Sequence, residues 1–352
     1  MKVAIITDTH LGVRNSSEIF LENSRKFYED IFFPECKKHD IKTIWHLGDY
    51  FDNRKSVNIK ALSHNKNHFI KHLEENDITM WLVLGNHDVL YKNTIYPNSP
   101  QEILGQKDHV KILDTCTHQI FGSKKVLFVP WINSENSSKI FQDIKNSDAD
   151  VCCGHFGFVG FNFEKNIVSK DGLSTKEFHK FSRVFSGHYH IKSERGNITY
   201  LGAPFEFFWS DEDTDKFFHI YDTETSELLP VKNHHKLFNK IYYDEDESHE
   251  SKMHLVESCK NKFVKLFINN RKSQDLFDQF IDNLISVSPF ECKIIDSFYS
   301  TDDFTVDIEK IEDTTSIINE YIDNLSGISL DKNRLKSEFL SLMNQAEKDM
   351  TC

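Results

Sequence analysis

Residues 1–12, MKVAIITDTHLG, run from a short apolar strand (residues 3–7, VAIIT) straight into Asp8 and His10. A two-residue step along extended chain puts both side chains on one face. They stand at the carboxyl end of a buried strand, where an open α/β sheet builds its site. The pattern recurs along the chain. Residues 41–47 (IKTIWHL) lead into Gly48 and Asp49, and residues 79–84 (TMWLVL) into Gly85, Asn86, His87 and Asp88. Residues 149–153 (ADVCC) lead into Gly154 and His155, and residues 183–186 (RVFS) into Gly187, His188 and His190. Between the first strands, residues 18–33 carry Ile19, Phe20, Phe27, Ile31 and Phe32 at helical spacing, with Pro34 as the expected stop, and residues 57–75 are a second helix. Strand alternating with helix predicts a layered α/β fold with parallel pairing. Further strands are expected at 125–129, 198–201 and 217–221.

The residue types explain the chemistry. A single Asp-Thr-His or Gly-His is uninformative, and a Gly-Asn-His-Asp alone suits a turn. Five such segments in order, each after an apolar strand, form a ligand set of carboxylates, imidazoles and one carboxamide. Hydrolysing a phosphate ester needs an activated water and stabilised charge on the phosphoryl oxygens, and two divalent cations about 3.5–4 Å apart supply both. One carboxylate must bridge them. The mixed set suits Mn²⁺, Fe²⁺ or Zn²⁺ better than a pure Mg²⁺ site. His46, inside the second strand, is expected to be a core or interface polar residue.

The rest of the chain bounds the answer. Residues 233–262 are rich in Lys, His, Asp and Glu, and are followed by a strand (263–268), a helix (273–286) and a strand (292–298), a small α+β unit. The acidic run 301–313 is expected to be a linker. Two amphipathic helices follow, one through Ile317 to Leu325 and one carrying Leu335, Phe339, Leu342 and Met343 on one stripe. Seven cysteines show no CxxC spacing, which argues against a zinc knuckle or a disulfide framework and for a reducing cytoplasm. No apolar stretch approaches the roughly 20 residues of a membrane span, and the N-terminus lacks the features of a signal peptide. The net charge of −13 argues against a nonspecific nucleic-acid binder, though bound cations can supply the positive charge that phosphates need.

The ordered set DxH, GDxxD, GNHD, GH, GHxH resembles the signature of calcineurin-like metallophosphoesterases over roughly residues 1–222. Within them the chain resembles the SbcD-like nuclease subunits of recombination and repair complexes, and most of all the recombination endonuclease subunits of T-even-type phages. DTHLG at 8–12, GNHDVLYKNTIYPNSPQEIL at 85–104 and YLGAPFEFFWSDEDTDKFFHIYD at 200–222 carry this narrower likeness. The resemblance implies a two-layered β-sandwich flanked by helices (αββα), with a small α+β capping domain and C-terminal helices. It divides the chain into a nuclease domain at 1–232, a capping domain at 233–300, a linker at 301–313 and partner-binding helices at 314–352. It implies that Asp8, His10 and His190 hold one ion, that Asn86, His155 and His188 hold the other, and that Asp49 bridges. His87 would be the catalytic, nonliganding histidine, with Asp88 orienting its loop and Asp52 given no catalytic role.

By the same resemblance the cofactors are two divalent ions, Mn²⁺ foremost with Mg²⁺ as alternative. The activity is exo- and endonucleolytic cleavage of double- and single-stranded DNA, beside an SMC-like (SbcC-like) ATPase docked on Leu335, Phe339, Leu342 and Met343. The subunit would be a homodimer, with helices 18–33 and 57–75 as candidate contacts, in the cytoplasm (the host's, if phage-encoded). Basic loops at Arg54, Lys55 and Lys92 are expected to meet DNA phosphates, and Tyr91 and Tyr96 to pack on substrate or a second subunit. The competing readings are a phosphoesterase acting on a protein or small phosphodiester, and a noncatalytic DNA-end tether.

Overall fold

Along β1 (Lys2–Ile6), Val3 and Ile5 point to one side and Ala4 and Ile6 to the other, and all four are buried. A strand apolar on both faces must be covered on both. The computed structural model describes residues 1–105, 108–164 and 167–296, with Lys332, Arg334 and Lys336, and it shows that double cover. One sheet has the order β14 (Leu228–Asn233), β13 (Lys216–Asp222), β1, β2 (Thr43–His46), β3 (Thr79–Val83), β4 (Val110–Leu113). Strands β1 to β4 run parallel, while β13 and β14 are antiparallel additions. The second sheet has the order β11 (Ser193–Arg195), β12 (Ile198–Tyr200), β10 (Arg183–Gly187), β7 (Val151–His155), β6 (Lys124–Val129), β5 (Thr117–Phe121). A short hairpin, β8 (Asn162–Glu164) with β9 (Ile167–Val168), stands apart.

Three apolar layers hold this together. Val3, Ile5, Trp45, Leu47, Phe128, Val151, Cys153 and Phe185 fill the space between the sheets. Ala4, Ile6, Ile44, Met80 and Leu82 pack outward against Phe27, Phe32, Phe69 and Leu73 of the first helical layer. On the far side Leu127, Cys152 and Val184 meet Ile140 and Ile144 of the helix Ser137–Asn146, with Phe156, Phe158 and Phe178. Adjacent Cys152 and Cys153 therefore serve opposite faces of β7. The result is the expected αββα sandwich.

Pro34 does not stop the first helix. The α-helix Glu18–Phe27 passes through a π turn, Tyr28–Phe32, into Phe33–Lys38, with Pro34 in the first turn of that last segment. The π turn restarts the hydrogen-bond register, so the missing N–H falls where a helix needs no donor. The second helix has the same build: Ile59–Asn65, a π turn Lys66–Ile70, then Lys71–Glu75, capped by the Asn58 carboxamide accepting from the Lys60 N–H.

The polar stretch 233–262 is more ordered than its composition suggests. It contains β15 (Phe238–Asp244) and the helix His249–Ser258. With β16 (Phe263–Asn270), the helix Gln274–Ser286 and β17 (Glu291–Asp296) they form a three-stranded α+β unit with its own core. Its base packs on the sandwich: the Phe238 ring lies 4.9 Å from Trp209 and 6.3 Å from Phe20. A buried carboxylate, Glu206, accepts the backbone N–H groups of Leu237 at 2.7 Å and Phe238 at 3.0 Å. Glu206→Ala would leave both donors unpaired, each worth about 1–3 kcal/mol when buried. We expect urea unfolding to show a loss of at least about 2 kcal/mol.

Residues Met1–Ile295 form one unit, and Asp296–Cys352 a second. The acidic linker and the C-terminal helices, with Leu335, Phe339, Leu342 and Met343, lie outside the described residues. Among those described, no helix is long and apolar enough to cross a membrane.

Candidate metal centre

His155 is the last residue of β7, but Asp8, His10, Asp49 and His188 sit in tight loops, not on extended chain. Strand β1 ends at Ile6, and Asp8 and His10 have φ of 51° and 44°; Asp49 and His188 have 53° and 87°. The expected alternation of Asp8 with His10 therefore does not place them, and the loop of His188 is not extended either. Loop-to-loop hydrogen bonds do: Asp8 N–H donates to Gly48 O at 3.0 Å, His10 N–H to Asp49 O at 3.1 Å and Leu11 N–H to Tyr50 O at 2.8 Å. Glycine is required where these loops touch. A Cβ on Gly85 would lie 2.3 Å from the Asp49 backbone nitrogen, and one on Gly187 would lie 2.1 Å from Thr7 Oγ1.

All seven expected ligands and His87 converge. Asp8, His10 and His190 each offer an atom within 4.8 Å of the others, and so do Asp49, His155 and His188. His10, Asp49 and His87 form a third such group. Asn86 Oδ1 lies 3.1 Å from His155 Nε2 and 2.9 Å from His188 Nδ1, which joins the carboxamide to the second group. Asp49 Oδ2 stands 3.2 Å from His155 Nε2 and 3.8 Å from His10 Nε2, so it faces both groups. His10 Nε2 and His190 Nε2 are 3.1 Å apart.

The electrostatics fit a cation site. Asp8 and Asp49 are both buried, and their carboxylates face imidazole nitrogens. Burying such charge is costly unless cations neutralise it. Burial alone would raise the Asp49 carboxyl, but His155, by charge and hydrogen bond, holds it well below the usual carboxylate range. Burial works against the His155 proton too, yet Asp49 and Asp8 raise that imidazole to about 9, and a bound cation would take that proton's place between Nε2 and the carboxylates. Burial, then the neighbouring His155, pushes His188 down to about 3, so it is neutral, as a ligand must be. His155 Nδ1–H donates to Leu47 O at 2.8 Å, which turns Nε2 toward the cluster.

Three supporting residues carry more than the sequence revealed. Asp52 Oδ1 lies 3.4 Å from His10 Nδ1, and the Asp52 carbonyl accepts from His87 Nδ1 at 2.7 Å. It thus directs Nε2 of both imidazoles into the site. The Thr7 hydroxyl donates to Asp8 Oδ2 at 2.7 Å. Asp88, fully buried, accepts the backbone N–H groups of Gly85 at 2.9 Å, Tyr50 at 3.0 Å and Phe51 at 3.1 Å. It clamps the GNHD loop to the GDxxD loop, against burial and the Asp49 charge, which push its carboxyl up to about 7. We expect Asp88→Ala to cost at least about 2 kcal/mol in urea unfolding and to weaken metal binding, read by titration calorimetry. His46 is a core residue, 2.9 Å from Thr9 Oγ1 through Nε2.

Of the basic loop residues, Arg54 and Lys55 line one shallow groove with Leu90, Pro97 and Glu102. Lys92 is exposed on the following loop and is not part of that groove. Tyr91 is 55% exposed, and Tyr96, 49% exposed, donates its hydroxyl to Asp114.

Comparison with known proteins places this geometry. The model of the calcineurin-like phosphoesterase family matches residues 1–192, and the chain belongs to that family. It is 29% identical over 333 residues to exonuclease subunit 1 of Enterobacteria phage T4, covering 94% of each chain. It is 24% identical over 369 aligned positions to the DNA double-strand break repair protein Mre11 of Methanocaldococcus jannaschii, covering 96% of this chain and 94% of that one.

Proposed function

We propose that this calcineurin-like phosphoesterase is a Mn²⁺-dependent DNA nuclease that processes DNA ends beside an SMC-like ATPase. The observation that carries the reading is the convergence of the seven candidate ligand residues and His87 from the ends of strands of both sheets. The likeness along nearly the whole chain to an exonuclease subunit and a double-strand break repair protein supports DNA as substrate. Asp8, His10 and His190 would hold one ion, Asn86, His155 and His188 the other, with Asp49 between. When bound, the ions supply Lewis-acid charge for the phosphate and lower the pKa of the attacking water.

The chain's own groups do the rest. His87 Nδ1–H donates to the Asp52 carbonyl, which turns Nε2 into the site; as an imidazolium, protonated on both ring nitrogens, His87 would pass its Nε2 proton to the leaving oxygen and keep the one on Nδ1. Arg54, Lys55 and Lys92 would meet backbone phosphates beside the site. The unit 233–300 would cap the approach to it, and Leu335, Phe339, Leu342 and Met343 would dock on the ATPase. Helices 18–33 and 57–75 would pair two copies; Ile59, at the start of the second, is 82% exposed.

The test is cleavage of linear double- and single-stranded DNA by the purified chain with Mn²⁺, Mg²⁺ or EDTA. Cleavage with Mn²⁺ that EDTA abolishes is expected. Hydrolysis of an aryl phosphodiester with no attack on DNA, even with an SMC-like ATPase added, would overturn the reading in favour of a small-substrate enzyme.

A further inference from the structure

Beside His188 and His190 opens a cavity of about 610 Å³ whose wall includes Trp131, Phe163, Tyr189 and Phe208. That volume lies within the range of small-ligand sites. Two of these rings are left in water: Phe208 is 46% exposed and Phe163 is 41% exposed. Exposed aromatic surface grouped around a polar centre marks a binding site more often than a folding need.

The rings are also held in place. Trp131 N–H donates to Leu84 O at 2.8 Å, and its carbonyl accepts from the Asn136 carboxamide at 3.0 Å. Its indole lies 5.5 Å from the His188 ring, next to the ligand cluster. The Phe208 N–H is tied to Asp211 Oδ2 at 3.0 Å. The Arg14 guanidinium sits 4.9 Å above the Phe208 ring, itself fixed by two hydrogen bonds to the Phe207 carbonyl.

The charge on the wall decides which part of a nucleotide belongs there. Among the described residues that line the cavity there is no Lys or Arg, whereas Asp171 and Asp211 are present. Asp211 is ion-paired with Lys216 at 2.6 Å, which leaves Asp171 as the charge on a wall that offers a phosphate no cation and suits a neutral, flat group. We propose that this cavity is a base-stacking subsite: with the scissile phosphate at the metal centre, the base of an adjoining nucleotide enters it and stacks on Trp131 and Phe208. This rests on the nuclease reading above. A base can reach such a pocket only when unpaired, so the subsite selects single-stranded or frayed ends over intact duplex.

The experiment uses the full chain with single-stranded oligonucleotides carrying an abasic residue on either side of the cleaved phosphate in turn. An abasic residue on one side is expected to lower kcat/KM for the wild type by on the order of ten-fold, the size of one base–aromatic stack. In Phe208→Ala, and in Trp131→Leu as a second variant, that penalty should shrink toward one-fold. A second readout needs no turnover. 2-Aminopurine at the same position should be quenched on binding to the His87→Ala chain with Mn²⁺, and less so when Phe208→Ala is added. Equal cleavage of intact and abasic DNA by the wild type, or unchanged quenching in the Phe208 variant, would overturn the subsite while leaving the nuclease standing. Quenching that depends on Phe208 in a chain that cleaves no DNA would do the reverse.

Discussion

Asp49→Asn is expected to slow metal-dependent DNA cleavage by on the order of 10³-fold or more and to leave the chain with one tightly bound ion or none. Among the described residues Asp49 is the one carboxylate that faces both ligand groups, 3.2 Å from His155 and 3.8 Å from His10. Polarising the phosphoryl oxygens and lowering the pKa of water is worth several kcal/mol, and each factor of ten in rate corresponds to about 1.4 kcal/mol. Asparagine is the informative replacement. Its carbonyl can still accept the His87 backbone N–H that Asp49 Oδ1 holds at 2.7 Å, so the loop stays in place while the charge goes. Elemental analysis after gel filtration and steady-state rates with Mn²⁺ read the two effects. Two retained ions with wild-type rates would remove Asp49 from the centre.

His87→Ala should separate chemistry from metal binding. We expect cleavage to fall by about 10²–10⁴-fold, the usual contribution of a positioned proton donor, with the metal content unchanged. The geometry makes this a sharp test, because His87 also lies within ligand range of His10 and Asp49. If both metal and cleavage are lost, His87 is a ligand. If cleavage survives intact, His87 is not the proton donor.

Much of the sandwich was legible because apolar alternation is local. Val3 to Ile6 already carry the two-faced burial of β1, and a glycine or aspartate closes each strand where the site begins. The site's support was less legible because its partners are distant in sequence. Nothing near Asp88 tells that it accepts N–H groups from Tyr50 and Phe51, or near Asp52 that its carbonyl orients His87. Nothing in the sequence sets Trp131 beside Phe208; the fold brings them onto one cavity. In 238–244 Ile241 and Tyr243 face the unit's own core while Phe238, on the other face, packs on the sandwich, and with Asn239, Lys240 and Asp244 among them the strand passed for a polar stretch. Pro34 misled because a π turn, which leaves no mark in composition, shifts the helical register just before it.

Asp8, His10, Asp49 and His188 all hold left-handed backbone, which costs L-residues on the order of 1 kcal/mol each. Folding alone would favour glycine at those positions. A lineage in which cleavage ceased to matter would therefore drift toward a tougher, inert sandwich, losing its histidines and aspartates before its strands. All four positions thus give up backbone ease for side chains that glycine could not supply.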